Sequence, residues 1–404
     1  MVVISGHGLK IDDLIRVSRY GEKVEIDGDA LKRVDEYRDI LLKNINAGKR
    51  IYGVNTGVGA FINKDIGRED ARLLQKKVIM SHAAGVGERL DDETVRGIML
   101  LRANSLLRGN SGVRSVIIKR LVDFLNKNII PIVPSRGSVG ASGDLAPLAH
   151  IALAITGMGK VKYRGDIVDA RKVLESVGSG ELNLDYKEGI ALINGTQVMT
   201  AITAICLHDA RTYLLTALAA TALTLESLGG IMNAYMAEVH ALRPHKGQIL
   251  VASAIRELLK GSELVKWGES EKQDAYSLRC VPQVFGAVAD TIDFGRGVVE
   301  VEMNSVVDNP VIIGDKLVSC GNFHGEYVAM VADYLGIALT DMGNVCERQC
   351  YRLLNERLSG LPAFLTRKGG LNSGYMLLQY TAASLVSENK ILSHPGVVDS
   401  IPTS

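Results

Sequence analysis

The sequence predicts a mainly α fold, a long central helical bundle with a smaller mixed N-terminal lobe. Three observations carry this. Residues 196–228, 247–260 and 326–358 are helical-period stretches too long and too poor in proline to be strands. Helices of about thirty residues span roughly 45 Å, which suits an elongated bundle. The first hundred residues instead mix a strand-like Val2-Val3-Ile4, amphipathic helices and a Gly/Asn/Thr-rich loop at 53–59.

Taken in order, the elements after that loop are marked by their ends. Between 91 and 128 two helices are expected, with Asp91 capping the first, Gly109 ending it and Ser111 preceding the second. In the second, Val113, Ile117, Ile118, Leu121, Val122 and Leu125 fall on one face, which must pack on something apolar. No repeat, low-complexity linker or Pro-rich spacer marks a domain border. A soft one near 110 separates an N-terminal lobe, 1–110, from a bundle, 111–404. The Ala/Leu-rich stretch 201–232 has the length of a membrane span, but His208, Asp209, Arg211 and Glu226 interrupt it. A buried core helix is expected there, and no membrane partner.

Composition narrows the function. Of 404 residues 47% are hydrophobic and 23% charged, enough to bury a large core and unlike a disordered chain. Lys and Arg (46) balance Asp and Glu (45) with no basic run, which excludes the footprint of a nucleic-acid binder and points to a small-molecule ligand. Five cysteines at 206, 280, 320, 346 and 350 are odd in number and scattered, and no leader-like segment follows Met1. A reduced, cytoplasmic setting is expected. His150, His240, His245 and His324 show no metal-ligand spacing, and Cys346 with Cys350 lack a second pair, so no metal is expected.

The unusual segment is 134–150, Pro-Ser-Arg-Gly-Ser-Val-Gly-Ala-Ser-Gly-Asp-Leu-Ala-Pro-Leu-Ala-His, with glycines at 137, 140 and 143 ahead of an expected helix. A phosphate cradle would fit a Gly-rich turn before a helix, but Asp144 stands where Lys and then Ser/Thr are wanted, and a carboxylate repels phosphate. A plain surface loop is the bland alternative. A third reading is chemical. In Ala141-Ser142-Gly143 the amide nitrogen of Gly143 can attack the carbonyl carbon of Ala141 in a tight bend, because glycine has no Cβ in the way. Loss of that water, and of a second one using the Ser142 hydroxyl, leaves a five-membered ring with an exocyclic methylidene.

Residues 137–150 resemble the signature of the histidine and aromatic amino-acid ammonia-lyases, in which this tripeptide becomes a methylidene-imidazolone. The resemblance runs along the chain in the family's order: 52–59 (Tyr-Gly-Val-Asn-Thr-Gly-Val-Gly), 81–85 (Ser-His-Ala-Ala-Gly), 194–196 (Asn-Gly-Thr) and 243–248 (Arg-Pro-His-Lys-Gly-Gln). It continues through 274–280 (Asp-Ala-Tyr-Ser-Leu-Arg-Cys), 304–310 (Asn-Ser-Val-Val-Asp-Asn-Pro), 321–325 (Gly-Asn-Phe-His-Gly) and 370–374 (Gly-Leu-Asn-Ser-Gly). It implies an ammonia-lyase/fumarase-aspartase-like architecture, a homotetramer whose sites draw on several subunits, and no metal or diffusible cofactor.

The resemblance also implies roles. Elimination of ammonia must remove a weakly acidic β-proton and expel a poor leaving group, so it needs a base and an electron sink. The ring of Ala141, Ser142 and Gly143 is the sink and Tyr52 the base. Arg279 is the clamp for the substrate carboxylate, a task that suits a planar fork. Tyr276 shares its helical face and stands by the ring, and Gln273 extends that face by three residues. Asn194 bonds the ring or the amine, and Phe323 packs over the site. His82, where phenylalanine-specific relatives carry an apolar pair at 81–82, favours histidine as substrate.

The expected reaction is therefore L-histidine to trans-urocanate and ammonia. A tyrosine or phenylalanine lyase, an aminomutase, or a catalytically silent assembly subunit are the alternatives. A fumarase-type lyase is disfavoured because its Gly-Ser-Ser…Met-Pro-x-Lys loop is not found. Val281 and Tyr327 depart from the family pattern, where Gln and Pro are usual. Residues 397–404 are not followed by the family's Asn-Gln-Glu-Asp-His-like block and its acidic site residue. A truncated form, or else a naturally shortened homologue, is expected.

Overall fold

The computed structural model describes residues 1–268, 273–399 and 401, and helices dominate it. Two compact units are formed, the first mainly from 1–206 and 297–329, the second from 207–296 and 330–399. Residue 110 lies inside the first unit, in the turn between two helices.

The first unit is built around the helix Asp92–Leu106. Asp91 caps it, accepting from the Thr94 amide at 2.6 Å, and every residue from Thr94 to Leu106 is buried. Helices Ile11–Ser18 and Ser115–Lys127 pack against it. The second of these starts at Ser115 rather than just after Ser111, because Gly112 stands at φ +66 and takes the chain out of helical geometry. Its six predicted core positions are all buried. Val2–Ile4 is a strand, parallel to Val24–Ile26. Strand Val86–Arg89 runs antiparallel to Pro134–Arg136 and so anchors the entry to the glycine-rich loop. Helices Arg68–His82, Leu145–Ile155 and Glu188–Ile193 pack on one another, which brings three of the sequence blocks to one place.

In the second unit, helices Lys246–Leu258 and Val281–Met303 meet at glycines. A Cβ on Gly247 would lie 2.1 Å from the Gly286 carbonyl oxygen, so only glycine permits this approach. Thr221 and Gln349 bond side chain to side chain, and Gln349 also donates to the Ser277 carbonyl. The predicted helix 326–358 is interrupted: it runs Glu326–Leu354, then Asn355 leaves helical angles and caps Glu356–Ser359 by accepting from the Arg357 amide. Asparagine competes with the backbone in this way. The stretch expected as a core helix is Gln197–Leu228, and 78% of the apolar window is buried within the protein. Helix Met376–Leu392 has no buried residue, and Leu377, Leu385, Ile391 and Leu392 are mostly exposed.

Candidate active site

The glycine-rich loop is bent as its composition demands. Gly137, Gly140 and Gly143 stand at φ +141, +73 and +72, all in the region that glycine occupies without strain. The Gly143 amide donates back to the Gly140 carbonyl at 3.3 Å, and Ala141 and Gly143 pair as an isolated bridge across Ser142. Ser142 is exposed while Gly143 is buried. A Cβ on Gly143 would lie 2.6 Å from the oxygen and 2.7 Å from the nitrogen of Gly195, so no other residue fits against that backbone.

Asp144 locks the loop. Its amide donates to the Gly195 carbonyl at 2.7 Å. Its carboxylate accepts from the Val198 and Met199 amides at 2.9 and 3.0 Å and from the Ser138 hydroxyl at 3.0 Å. These amides open the helix Gln197–Leu228, whose unpaired N–H groups and positive dipole end take the carboxylate as their anion. Burial pushes the Asp144 carboxyl up, and the Met199, Ser138 and Val198 donors pull it down. The Gly325 amide donates to the Gly140 carbonyl at 3.0 Å, tying the Phe323 loop to the same bend.

Asn194 ends the helix Glu188–Ile193 and leaves helical angles there. Its Nδ2 donates to the Ser142 carbonyl at 3.1 Å, while its Oδ1 is buried with no partner among the described residues.

A cavity of about 820 Å³ opens over this bend, and Tyr52, His82, Ser142, Asn194 and Phe323 all line it. Five sequence-predicted positions from five separate blocks thus converge within the first unit. The Tyr52 phenol oxygen accepts from the Gly59 amide at 2.9 Å, which uses the glycine-rich loop to support negative charge on that oxygen. His82 Nδ1 lies 2.8 Å from the Val78 carbonyl and donates to it; this assigns the proton to Nδ1 and makes Nε2 the acceptor. Among the lining residues that had no role from sequence, three carry an amide or ammonium side chain. Asn309 sits in the quoted block 304–310, so its neighbourhood was a signal. Lys64 and Lys77 gave none; with them the wall carries two cations and no carboxylate among the described residues.

Gln273, Tyr276 and Arg279 belong to the second unit and are not among the residues that line this cavity. Tyr276 and Arg279 share one turn, Tyr276–Arg279, with the guanidinium 4.6 Å over the phenol ring. Gln273 precedes that turn in non-helical chain, so it does not extend a helical face. Tyr276 is 72% exposed, and Arg279 Nε is buried without a partner among the described residues. A smaller hollow of about 440 Å³ in the second unit, lined by Arg211, Lys246, Asp290 and Asp293, holds none of the predicted groups. No cluster of three or more His, Cys, Asp or Glu arranged for a metal occurs among the described residues.

The tripeptide fits a group made by its own cyclisation. The bend, the Cβ-excluding contact at Gly143 and the Asn194 oxygen, unpartnered among the described residues, are the features that fit it.

The chain is 49% identical to a histidine ammonia-lyase of Caldanaerobacter subterraneus, over all of this chain and 80% of that protein. Among solved structures it is similar to the histidine ammonia-lyase of Trypanosoma cruzi, with TM-score 0.91 and 39% identity over 100% of this chain and 76% of that one. It is also similar to a tyrosine aminomutase from Streptomyces globisporus, with TM-score 0.96 and 36% identity over 100% and 80%. The family model described as aromatic amino acid lyase matches residues 9–404, and the chain belongs to this family.

Proposed function

We propose that this chain is a histidine ammonia-lyase, converting L-histidine to trans-urocanate and ammonia. The observation that carries the reading is the cavity in which Tyr52, His82 and Asn194 face the bend at 141–143. The identity of 49% to a histidine enzyme, against 36% to the aminomutase, supports the same substrate.

Ala141, Ser142 and Gly143 form the prosthetic group. The Gly143 nitrogen bonds to the Ala141 carbonyl carbon, whose oxygen leaves as water with the amide hydrogens of Gly143 and Ser142. A second water carries away the Ser142 hydroxyl with its Cα hydrogen, so no oxidant is required. The methylidene-imidazolone so made supplies an electrophile that ordinary side chains lack.

The other residues bind, orient and move protons. His82 Nε2 accepts the N–H of the substrate imidazole, a bond that an apolar side chain at 82 cannot make. Tyr52 takes the β-proton as a phenolate, at the oxygen where the Gly59 amide supports the negative charge held before the transfer. The Asn194 amide is split between two tasks: Nδ2 holds Ser142, and Oδ1 accepts from the substrate ammonium. Phe323 covers the site, and Lys64 and Lys77 give the wall a charge suited to a carboxylate. Arg279, with Tyr276 and Gln273, clamps that carboxylate in the cavity of a neighbouring copy. The exposed apolar side chains of Met376–Leu392 support assembly, here as a homotetramer. The scattered cysteines support a cytoplasmic location.

The experiment is direct. Purified protein should weigh two waters less than its sequence and produce urocanate absorbance from L-histidine. A full-mass chain, or urocanate absent while tyrosine or phenylalanine is consumed, refutes the reading.

A further inference from the structure

Arg102 lies in the buried stretch of the helix Asp92–Leu106 and is 1% exposed. Burying a guanidinium is unfavourable unless its donors are used. Burial pushes this one down to about 10, against the pull of Asp308 and Asp144. Its Nε has no partner among the described residues, and its other bonds go to one place: Nη1 donates to the Ala191 carbonyl at 3.0 Å and Nη2 to the Asn194 carbonyl at 2.9 Å. These carbonyls end the helix Glu188–Ile193, where a cation is favoured.

The same Nη2 fills the space beside Gly195. A Cβ there would lie 2.4 Å from it and 2.6 Å from Gln197 Oε1. Gly195 in turn is the surface on which Gly143 rests, and its carbonyl holds the Asp144 amide. Asn194 holds the Ser142 carbonyl. Both anchors of the tripeptide therefore hang from a two-residue corner, and that corner is gripped from behind by one planar fork. A lysine could reach one carbonyl but could not span two in fixed geometry.

We propose that Arg102 is the positioning residue that sets the Asn194-Gly195 corner against residues 141–143, and that this setting is what lets the tripeptide cyclise. The inference rests on the ring-forming reading above. Intramolecular attack depends steeply on placement, and a shift of about 1 Å can lower such a rate by about 10²-fold.

The test uses the full chain with Arg102→Gln, Arg102→Lys and, as a control on the same helix, Leu101→Ala, whose side chain is also 1% exposed. Intact mass reports the fraction of chains lacking two waters, and thermal melting reports the fold. Both Arg102 variants should fold and show the ring-bearing fraction reduced by about tenfold or more. Leu101→Ala should keep its ring even if it melts earlier. Gly195→Ala, which disturbs the same joint from the other side, should lose the ring. Full ring content in folded Arg102→Lys overturns the proposal alone. So does equal ring loss in Leu101→Ala at a matched melting temperature, or failure of both Arg102 variants to fold. A wild-type chain of full mass overturns the ring reading, and this inference with it.

Discussion

Replacing Lys187 with methionine tests how the helix that delivers Asn194 is held. Lys187 precedes that helix at φ +72, is 1% exposed, and its Nζ lies 2.5 Å from Asp308 Oδ2, itself 1% exposed. Burial pushes the ammonium down, and Asp308 opposes this. Among the described residues the other carboxylate oxygen accepts only a local bond, from the Asn309 amide at 2.6 Å. Methionine keeps the stem volume and meets the same backbone strain, so strain cancels in the comparison. What remains is a buried carboxylate stripped of its hydrogen-bonded partner, with only the Coulombic pull of Arg102 left to it, worth at most about 3–5 kcal/mol of destabilisation. The double variant Lys187→Met/Asp308→Leu removes both charges and should recover most of that loss, because a well-packed apolar pair often equals a buried ion pair. The assay is a denaturant midpoint series on wild type, both single variants and the double, with equal slopes required. A single-variant loss below about 1 kcal/mol, or a double variant as unstable as the summed singles, refutes the argument that the pair is a mutually dependent buried unit.

Other outcomes follow from the site. Tyr52→Phe should lower kcat by about 10²–10⁴ while leaving the two-water mass deficit intact, because the base acts on substrate and not on the ring. His82→Leu should lower kcat/KM for histidine by about 10–10²-fold and raise the relative use of phenylalanine, measured with a substrate panel. Acid stability should depend on Asp185, which bonds Arg38 and Arg72 at 2.8 Å each. Burial raises this carboxyl, but the Arg72 bond, the Tyr186 amide and Arg38 outweigh it and hold it below its ordinary value. A depressed carboxyl contributes stability that is present above the unfolded value, near pH 4, and lost as pH falls through the folded one. Asp185→Asn should therefore flatten the acid limb of the stability profile; an unchanged limb counts against this.

Much of the fold could be read from residues because local rules were obeyed. Asp91 caps where a side-chain acceptor precedes an apolar run, and three loop glycines take the positive φ that their spacing suggested. The misreadings have physical causes. Gly112 delays a helix that Ser111 seemed to start, because its left-handed backbone is set by tertiary packing on Leu41 and Ile312. Asn355 breaks a helix whose apolar period continues past it, since its side chain prefers to cap. The bend at 141–143 was legible because small residues and closely spaced glycines in a row admit so tight a turn. Its supports were not: Arg102 and Lys187 look like solvent-facing charges until the fold closes over them. Lys64 and Lys77 carried no pattern that separates a cavity wall from any exposed surface.

Among the described residues, the groups seen to touch the bend at 140–143, from Asn194 and Gly195 to Asp144 and Gly325, belong to one unit of the chain. On the proposed ring-forming reading, closure of 141–143 should be a first-order event, indifferent to dilution, whereas turnover, if Arg279 is borrowed from a neighbouring copy as proposed, should rise with association. The expected outcome is a dilute, freshly made chain that carries its ring yet stays idle until it finds company.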